Sequence, residues 1–331
     1  LQLSLGARYD RHAYSPRLSP TFIDNTGSVR DVSFAAPSWQ AGLDYRFLPR
    51  QSLWLQAGRG FRAPTTGELY APTSTAQLTE VASGNLVTVP TIAANPELGA
   101  ERSLNLEFGY RWQGDRARFG VSVFRDRYDD FIDSVRTTVN PGLQYRSCTR
   151  NVCSTRFGYE VSTTANVGEV TVNGLELEGQ WQLGTAWLLR AAWSHNQGEK
   201  ADGRPLDSIN PDRGVLGLSW QGLDGRLRLT GNLTHALAKD IDDVHVAVNA
   251  AQPFLSDAYS VLDLFGSYRI NDHLRINAGL YNLFDERFYQ WARIRNVTRG
   301  DFYLYGYATN DGIGRYSEPG RNLRVSVSWS V

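Results

Sequence analysis

The residues able to do chemistry are scattered along this chain rather than grouped. Five histidines, His12, His195, His235, His245 and His273, stand far apart. No His-Glu-x-x-His, Gly-x-Ser-x-Gly or glycine-rich phosphate loop occurs. The acidic pairs Asp129-Asp130 and Asp242-Asp243 are neighbours in loops, where carboxylates are ordinarily just solvated. A catalytic triad can be built from distant residues, so missing motifs argue only weakly against an enzyme. Cys148 and Cys153 lie in a polar segment, and no second pair or nearby His completes a metal site. A small disulfide-closed loop in an oxidising compartment accounts for them, two free thiols being the other reading. The densest binding chemistry comes late, where Arg287, Arg293, Arg295 and Arg299 are interleaved with Tyr289, Trp291, Tyr303, Tyr305 and Tyr307. Guanidinium forks suit carboxylates and aromatic faces suit a flat ring. The same residues also suit a loop held by Arg–carboxylate pairs and stacked rings.

Such residues need positioning, and the dominant pattern is period-two alternation in segments of about ten residues. The segments are Leu1–Asp10, Ser38–Phe47, Ser52–Gly60, Ser103–Trp112, Ala117–Tyr128, Glu169–Gln182, Trp187–His195, Gly214–Gln221, Arg226–His235, Tyr259–Ile270, Leu274–Phe284 and Leu323–Val331. In the fourth, Leu104, Leu106, Phe108, Tyr110 and Trp112 alternate with Asn105, Glu107, Gly109 and Arg111. Tight turns rich in Gly, Asp, Asn or Pro join alternate pairs: Leu48–Gln51, Gln113–Arg116, Leu183–Ala186, Gly222–Gly225 and Asn271–His273. The remaining connections are long. Strict short–long alternation places turns at one end of a sheet and large loops at the other, as in membrane barrels. A propeller or β-helix would repeat one loop length. The apolar register faces lipid and the polar one a wet lumen, with Tyr9, Phe47, Trp112, Trp181, Trp187, Trp220, Tyr268 and Trp329 near strand ends as interfacial girdles. A soluble β-sandwich would need a second apolar layer, and polar loops on one side only do not suit one.

Composition agrees. The 331 residues are 41% apolar and 12% aromatic, yet no run reaches the ~18 uncharged apolar residues of a spanning helix. Thirty-four basic residues balance 34 acidic ones, which argues against a general nucleic-acid binder. There is no Met, and Leu1 already sits inside an alternating strand, so the chain is expected to begin in mid-domain. An even number of strands, about twelve, puts both ends on the turn side. As the trailing part of a larger barrel, the piece would have unpaired edges and would not close stably alone.

Several stretches resemble one family. Phe61-Arg62-Ala63-Pro64, followed by Glu68-Leu69-Tyr70, and Asn95-Pro96-Glu97-Leu98 look like the paired "FRAP" and "NPxL" boxes of TonB-dependent outer-membrane receptors. Tyr281-Asn282-Leu283-Phe284-Asp285 resembles their "NLFD" box, and Pro319-Gly320-Arg321-Asn322 the "PGRN" that precedes their last strand. The resemblance covers nearly the whole chain; the family's usual terminal aromatic is Val331 here. It implies an all-β fold: a transmembrane antiparallel β-barrel of which residues 1–331 form about twelve C-terminal strands. The whole would be a plugged barrel of about 22 strands. It also implies an integral, monomeric protein of the bacterial outer membrane. Outer-membrane lipid and lipopolysaccharide would surround it, and TonB would act on it through a plug region outside this chain. Such a protein is a transporter with no intrinsic cofactor, not an enzyme and not a nucleic-acid binder.

The haem and haemoglobin receptor subgroup is the one most resembled. FRAP and NPxL occur together there, as does a tail like Tyr289-Gln290-Trp291 followed by Arg residues. So does Asn166-Val167-Gly168-Glu169 running into Asn173–Gly179. The cargo implied is therefore haem, free or carried by a haemoprotein. A ferric siderophore is the alternative within the family, and a barrel enzyme or passive porin the alternative outside it. Haem needs an axial ligand, aromatic walls and cations for its propionates. The subgroup commonly offers a His between the two boxes, but residues 65–94 contain none. Tyr70 is the Tyr of that segment, and a phenolate can ligate ferric haem; its other reading is packing at the loop base. His245 and His12 are further candidate ligands, and Arg293 and Arg295 candidate propionate partners. His273 sits in a turn on the opposite side.

Overall fold

Alternating segments bounded by Gly, Asp and Pro turns fold as a continuous antiparallel meander, because each hairpin pairs a strand with its chain neighbour. The computed structural model describes residues 1–17, 29–70, 74–149, 152–246, 253–295 and 310–330. Twelve strands form one sheet: β1 (Gln2–Tyr14), β2 (Val32–Leu48), β3 (Gln51–Arg62), β6 (Glu101–Gln113), β7 (Ala117–Asp129), β10 (Val170–Leu183), β11 (Trp187–Lys200), β12 (Arg213–Gly222), β13 (Leu227–Ala236), β14 (Tyr259–Arg269), β15 (Leu274–Tyr281) and β16 (Asn322–Trp329), in that spatial order. Each of the twelve segments read from the sequence is one of these strands. Among the described residues, β1 pairs with β2 alone and β16 with β15 alone, so the sheet is open at both edges.

Burial in this wall is inverted relative to a water-soluble sheet. On β6, Leu104, Leu106 and Phe108 are 41%, 44% and 48% exposed, while Ser103, Asn105 and Glu107 between them are partly covered. Leu323, Val325, Val327 and Trp329 do the same on β16. Large apolar side chains turned outward along every strand of the wall, with polar ones turned inward, are the pattern of a sheet whose outer solvent is lipid. No described helix is long and apolar enough to cross a membrane; the crossing elements are the strands. The concave face is polar and holds a hollow of about 1000 Å³ lined by Arg8, Gln40, Gln56, Asn105, Glu107 and Asp126. Trp54 lies there under the Arg111 guanidinium, 4.8 Å away, and donates to Glu107 Oε1 at 3.1 Å.

Four further strands, read from the sequence as loop, stand on the loop side. These are β4 (Ser74–Glu80), β5 (Leu86–Ala93), β8 (Ile132–Thr149) and β9 (Val152–Asn166). Two hairpins join through Thr79↔Arg146 and Ile92↔Ser162, closing a small barrel in the order β4-β5-β9-β8. Leu78, Val89 and Tyr145 form its core, with Ala76, Val87 and Tyr159 around them. A disulfide joins Cys148 and Cys153, directly opposite one another near the β8–β9 tip.

The wall departs from its sequence reading at strand ends. β2 begins at Val32 rather than Ser38, and β15 stops at Tyr281 rather than Phe284. Asn282 and Asp285 take φ of 49° and 57°, a left-handed backbone that ends pairing.

Candidate functional site

The sequence boxes meet in pairs at the loop-side ends of the strands. Arg62 is directly across from Glu101 and donates from Nε to Glu101 Oε2 at 2.5 Å and from Nη1 to Glu68 Oε2 at 2.8 Å. The other oxygen of the buried Glu101 accepts the Ile132 N–H at 2.7 Å, so this carboxylate is fully engaged. Thr65 caps the single-turn helix α1 (Thr66–Leu69), and Glu68 returns a bond to the Thr65 N–H at 2.7 Å. Burial raises the Glu68 carboxyl pKa, but bonds from Arg62 and Thr65 outweigh it and hold it below the usual range. Pro64 and Leu69 are fully buried, and Leu69 packs on Leu98 and Ile132. Asn95 accepts the Glu97 N–H and donates to Thr164 O at 2.8 Å, pinning the second box to β9. Thus the first box is tied to the second as one clasp through the helix between them: Leu69 packs on Leu98 and its carbonyl accepts the Asn95 N–H, while Arg62 is held by Glu68 and Glu101; Phe61 instead lies against His12.

The NLFD and PGRN boxes form a second clasp. Asn282 Nδ2 donates to Glu286 O at 2.8 Å and Pro319 O at 3.3 Å. Asp285 Oδ1 accepts the Arg321 N–H at 2.7 Å. A Cβ on Gly320 would lie 2.7 Å from that carboxylate oxygen, which is why glycine stands there.

Tyr70 belongs to the first clasp. Its hydroxyl donates to Arg30 O at 2.7 Å, and it packs against Leu69, Leu98 and Ile132. Burial, then the Asp31 charge, push its phenol pKa upward, against phenolate formation. His245, Arg293 and Arg295 lie together in a different lobe, built by α2 (Trp291–Ile294) and the loops before β12, β14 and β16. There Val244, Trp291, Ile294 and Ile313 make a buried core. Asp207 ties the lobe together, accepting the His245 N–H at 2.8 Å on Oδ1 and Trp291 Nε1–H at 2.6 Å on its carbonyl. His245, Arg293 and Arg295 are exposed on this lobe. Arg293 Nε lies 3.0 Å from Glu318 Oε1 but off a hydrogen-bonding line, leaving that oxygen without an acceptor bond among the described residues. No described hydrogen bond or ion pair joins Tyr70 to this group. Tyr289 meets Phe254 edge-on at 5.5 Å. Arg299, Tyr303, Tyr305 and Tyr307 lie outside the described residues.

The other histidines are elsewhere. His12 meets Phe61 edge-on at 5.9 Å. His195 and His235 share the outward register with Trp193 and Leu233; the first bonds Asp212 at 2.7 Å, the second Ser260 at 2.8 Å. His273 bonds Ser330 O on the turn side. Lys239 went unnoticed in the sequence. It is 4% exposed beneath Trp291, donates to Ile209 O at 3.1 Å and lies 3.7 Å from Asp243. Its burial lowers its pKa against the pull of Asp243 and Asp207. An isolated lysine beside an acidic run carries no mark in sequence that it is buried. No group of three or more metal-ligating side chains occurs among the described residues.

An open-edged, lipid-facing meander with a polar concave face and clasped loop-side lobes defines an outer-membrane-type receptor barrel. The chain belongs to the TonB-dependent receptors: residues 1–283 match the family model "TonB dependent receptor-like, beta-barrel". It is 26% identical to haemoglobin–haptoglobin utilization protein B of Neisseria meningitidis serogroup C, over 98% of this chain and 42% of that protein. Similarity to transferrin-binding protein A of N. meningitidis serogroup B is also 26%, over 97% and 34%. Among solved structures, the copper transporter OprC superposes with a TM-score of 0.69 at 19% identity, over 99% of this chain and 45% of that one. The chain spans less than half the length of these relatives.

Proposed function

We propose that this chain is the barrel part of an outer-membrane receptor that takes up haem, free or from a haemoglobin-like protein, for iron acquisition. TonB would drive it through a plug outside this chain, and the receptor would be monomeric. The observation that carries the reading is the clasp between the FRAP and NPxL boxes, together with the alignment of haemoglobin–haptoglobin utilization protein B over 98% of the chain. The geometry of Tyr70 supports a packing role for it, since its hydroxyl is engaged and its ionisation opposed. His245, exposed on the same lobe as Arg293 and Arg295, is the better-placed ligand, with the arginines suited to propionates.

The test is a haem titration of the intact receptor, plug included, read by Soret absorbance. A saturable shift is expected, lost in His245→Ala and kept in Tyr70→Ala. Loss in Tyr70→Ala alone would reverse the ligand assignment. Absence of any saturable shift would remove direct haem binding, leaving recognition of a haemoprotein surface or a ferric siderophore.

A further inference from the structure

The outward register of the wall carries its cations on one side only. The ladders fix which residues share that face. Arg59 pairs with the exposed Trp39 on one side and the exposed Leu104 on the other, and Leu104 pairs in turn with Arg127. Arg102 is two residues above Leu104 on β6, and Arg125 two residues below Arg127 on β7. Arg11 has the same register on β1. Along β10 to β16 the outward positions carry no Lys or Arg; they are residues such as Leu175, Leu189, Leu218, Leu229, Leu264 and Leu323. Thus the outward cations fall on β1, β3, β6 and β7.

Four of them converge. With strands ~4.8 Å apart, the Cα atoms of Arg59 and Arg127 are separated by about 10 Å, and Arg102 stands between them one row up. Arg127 is matched by acids on the same face, 3.3 Å from Asp129 and 2.8 Å from Glu169. The side chains of Arg59, Arg102 and Arg125 are exposed and make no hydrogen bond or ion pair among the described residues; Asp129, directly across from Arg102, is taken by Arg127. From Trp112, at the turn-side girdle, to Arg102 is ten residues. At ~3.3 Å per residue and ~40° tilt that is about 25 Å of height, the thickness of the apolar band. The arginines therefore sit where the outer leaflet meets its headgroups, with Arg125 reaching up from below.

We propose that Arg59, Arg102 and Arg125 form a binding site for a phosphate-bearing lipid headgroup of the outer leaflet, on the outward face of β3, β6 and β7. Three exposed guanidiniums without an ion pair outnumber the acids on this patch, and their forks fit phosphate oxygens bidentately. Flanking Trp39 and Leu104 would pack on the acyl chains of the same lipid. The inference rests on the outer-membrane placement proposed above.

The intact receptor is tested by native mass spectrometry with equal amounts of bisphosphorylated lipid A and its dephosphorylated form. The expected result is selective retention of the phosphorylated lipid. Retention falls about tenfold or more in the triple variant Arg59→Gln, Arg102→Gln, Arg125→Gln, since hydrogen bonds to charged groups are lost. It is unchanged in Arg190→Gln, a lumen-facing control. Inorganic phosphate at the lipid's concentration should not displace the lipid; displacement would overturn the lipid assignment. Equal retention of the two lipids by the unaltered receptor, or undiminished retention by the triple variant, overturns the site. If the triple variant does not fold, selectivity of the unaltered receptor and of Arg102→Gln alone decides. Failure of the unaltered receptor to insert into vesicles, read as loss of heat-modifiable gel mobility, would instead remove the membrane placement itself.

Discussion

In the wall, Leu104, Leu106 and Phe108 turn outward and stay exposed; in the four-stranded lobe, Leu78, Val89 and Tyr145 turn inward and are buried. Both regions are antiparallel hairpins of similar residue types. What differs is the solvent each was built for. The wall meets lipid outside and water inside, so its apolar face needs no protein partner. The lobe meets water, so its apolar residues must cover one another, and a closed ring of two short and two long strands is how they do so. The lobe's core is small, and a disulfide at its tip and the ion-paired, capped clasp of Arg62, Glu68 and Glu101 at its base add to it.

That difference gives a direct way to break the comparison. Phe108→Arg puts a charge on the lipid face well below the outer interface and should cost about 2–4 kcal/mol. Gln56→Arg, placed opposite Glu107 on the lumen face, should be nearly neutral. Urea titrations of the receptor refolded into vesicles would measure both. Equal effects would mean that the two faces see the same solvent. In the lobe the corresponding change is loss of the disulfide. Cys148→Ser with Cys153→Ser frees a loop of about six residues and should remove roughly 2 kcal/mol of local stability on a chain-entropy account. Hydrogen exchange should quicken around Arg146 and Arg156 while the wall amides stay protected. Quickened exchange throughout the wall would show that lobe and wall unfold as one unit.

Gly320→Ala tests the second clasp. Its Cβ would meet Asp285 Oδ1 at 2.7 Å, so the bond to the Arg321 N–H must stretch, at about 1–2 kcal/mol. Proteolysis between β15 and β16 should become faster, with no change elsewhere. An unchanged cleavage rate would mean the clasp is already open in solution.

The wall was legible because every strand obeys one periodicity and every turn carries its own residues. Leu223, Asp224 and Gly225, all at positive φ, mark the β12–β13 turn as Asp-Gly turns do. The lobe was not legible, for reasons visible in its residues. Pro90 lies inside β5, and Asn140-Pro141 interrupt β8 at a register shift, features that ordinarily speak against a strand. Its strands are wet on one side and cover a core of few residues, so Thr and Ser fill positions where alternation would otherwise show. The motif boxes were visible, but their role as fasteners was not. Glu101 is an ordinary charged residue until the fold brings it to Arg62, and Asp285 is fastened by the backbone N–H of Arg321, which no side-chain pattern marks. His245 and Trp291 share Asp207, across long separations that no local pattern encodes.

The smallest effect sharpens the comparison at the junction between wall and lobe. Glu68 is ionised, bonded to Arg62, the Thr65 N–H and the Thr65 hydroxyl, and its folded pKa is depressed. A depressed carboxyl contributes stability that is fully present above its unfolded value and is lost as pH falls through the folded one. The α1 capping box should therefore hold at neutral pH and loosen only on acidification below the ordinary glutamate range. Because the group is partly exposed, the effect is modest. Hydrogen exchange, corrected for intrinsic pH dependence, should show the Glu68 and Leu69 amides losing protection in that window while β6 amides do not. Glu68→Gln should abolish the pH dependence and leave α1 weakly protected at every pH. If acid loosened α1 in Glu68→Gln to the same extent, Glu68 would not be the group responsible and the capping box would not be the acid-sensitive contact.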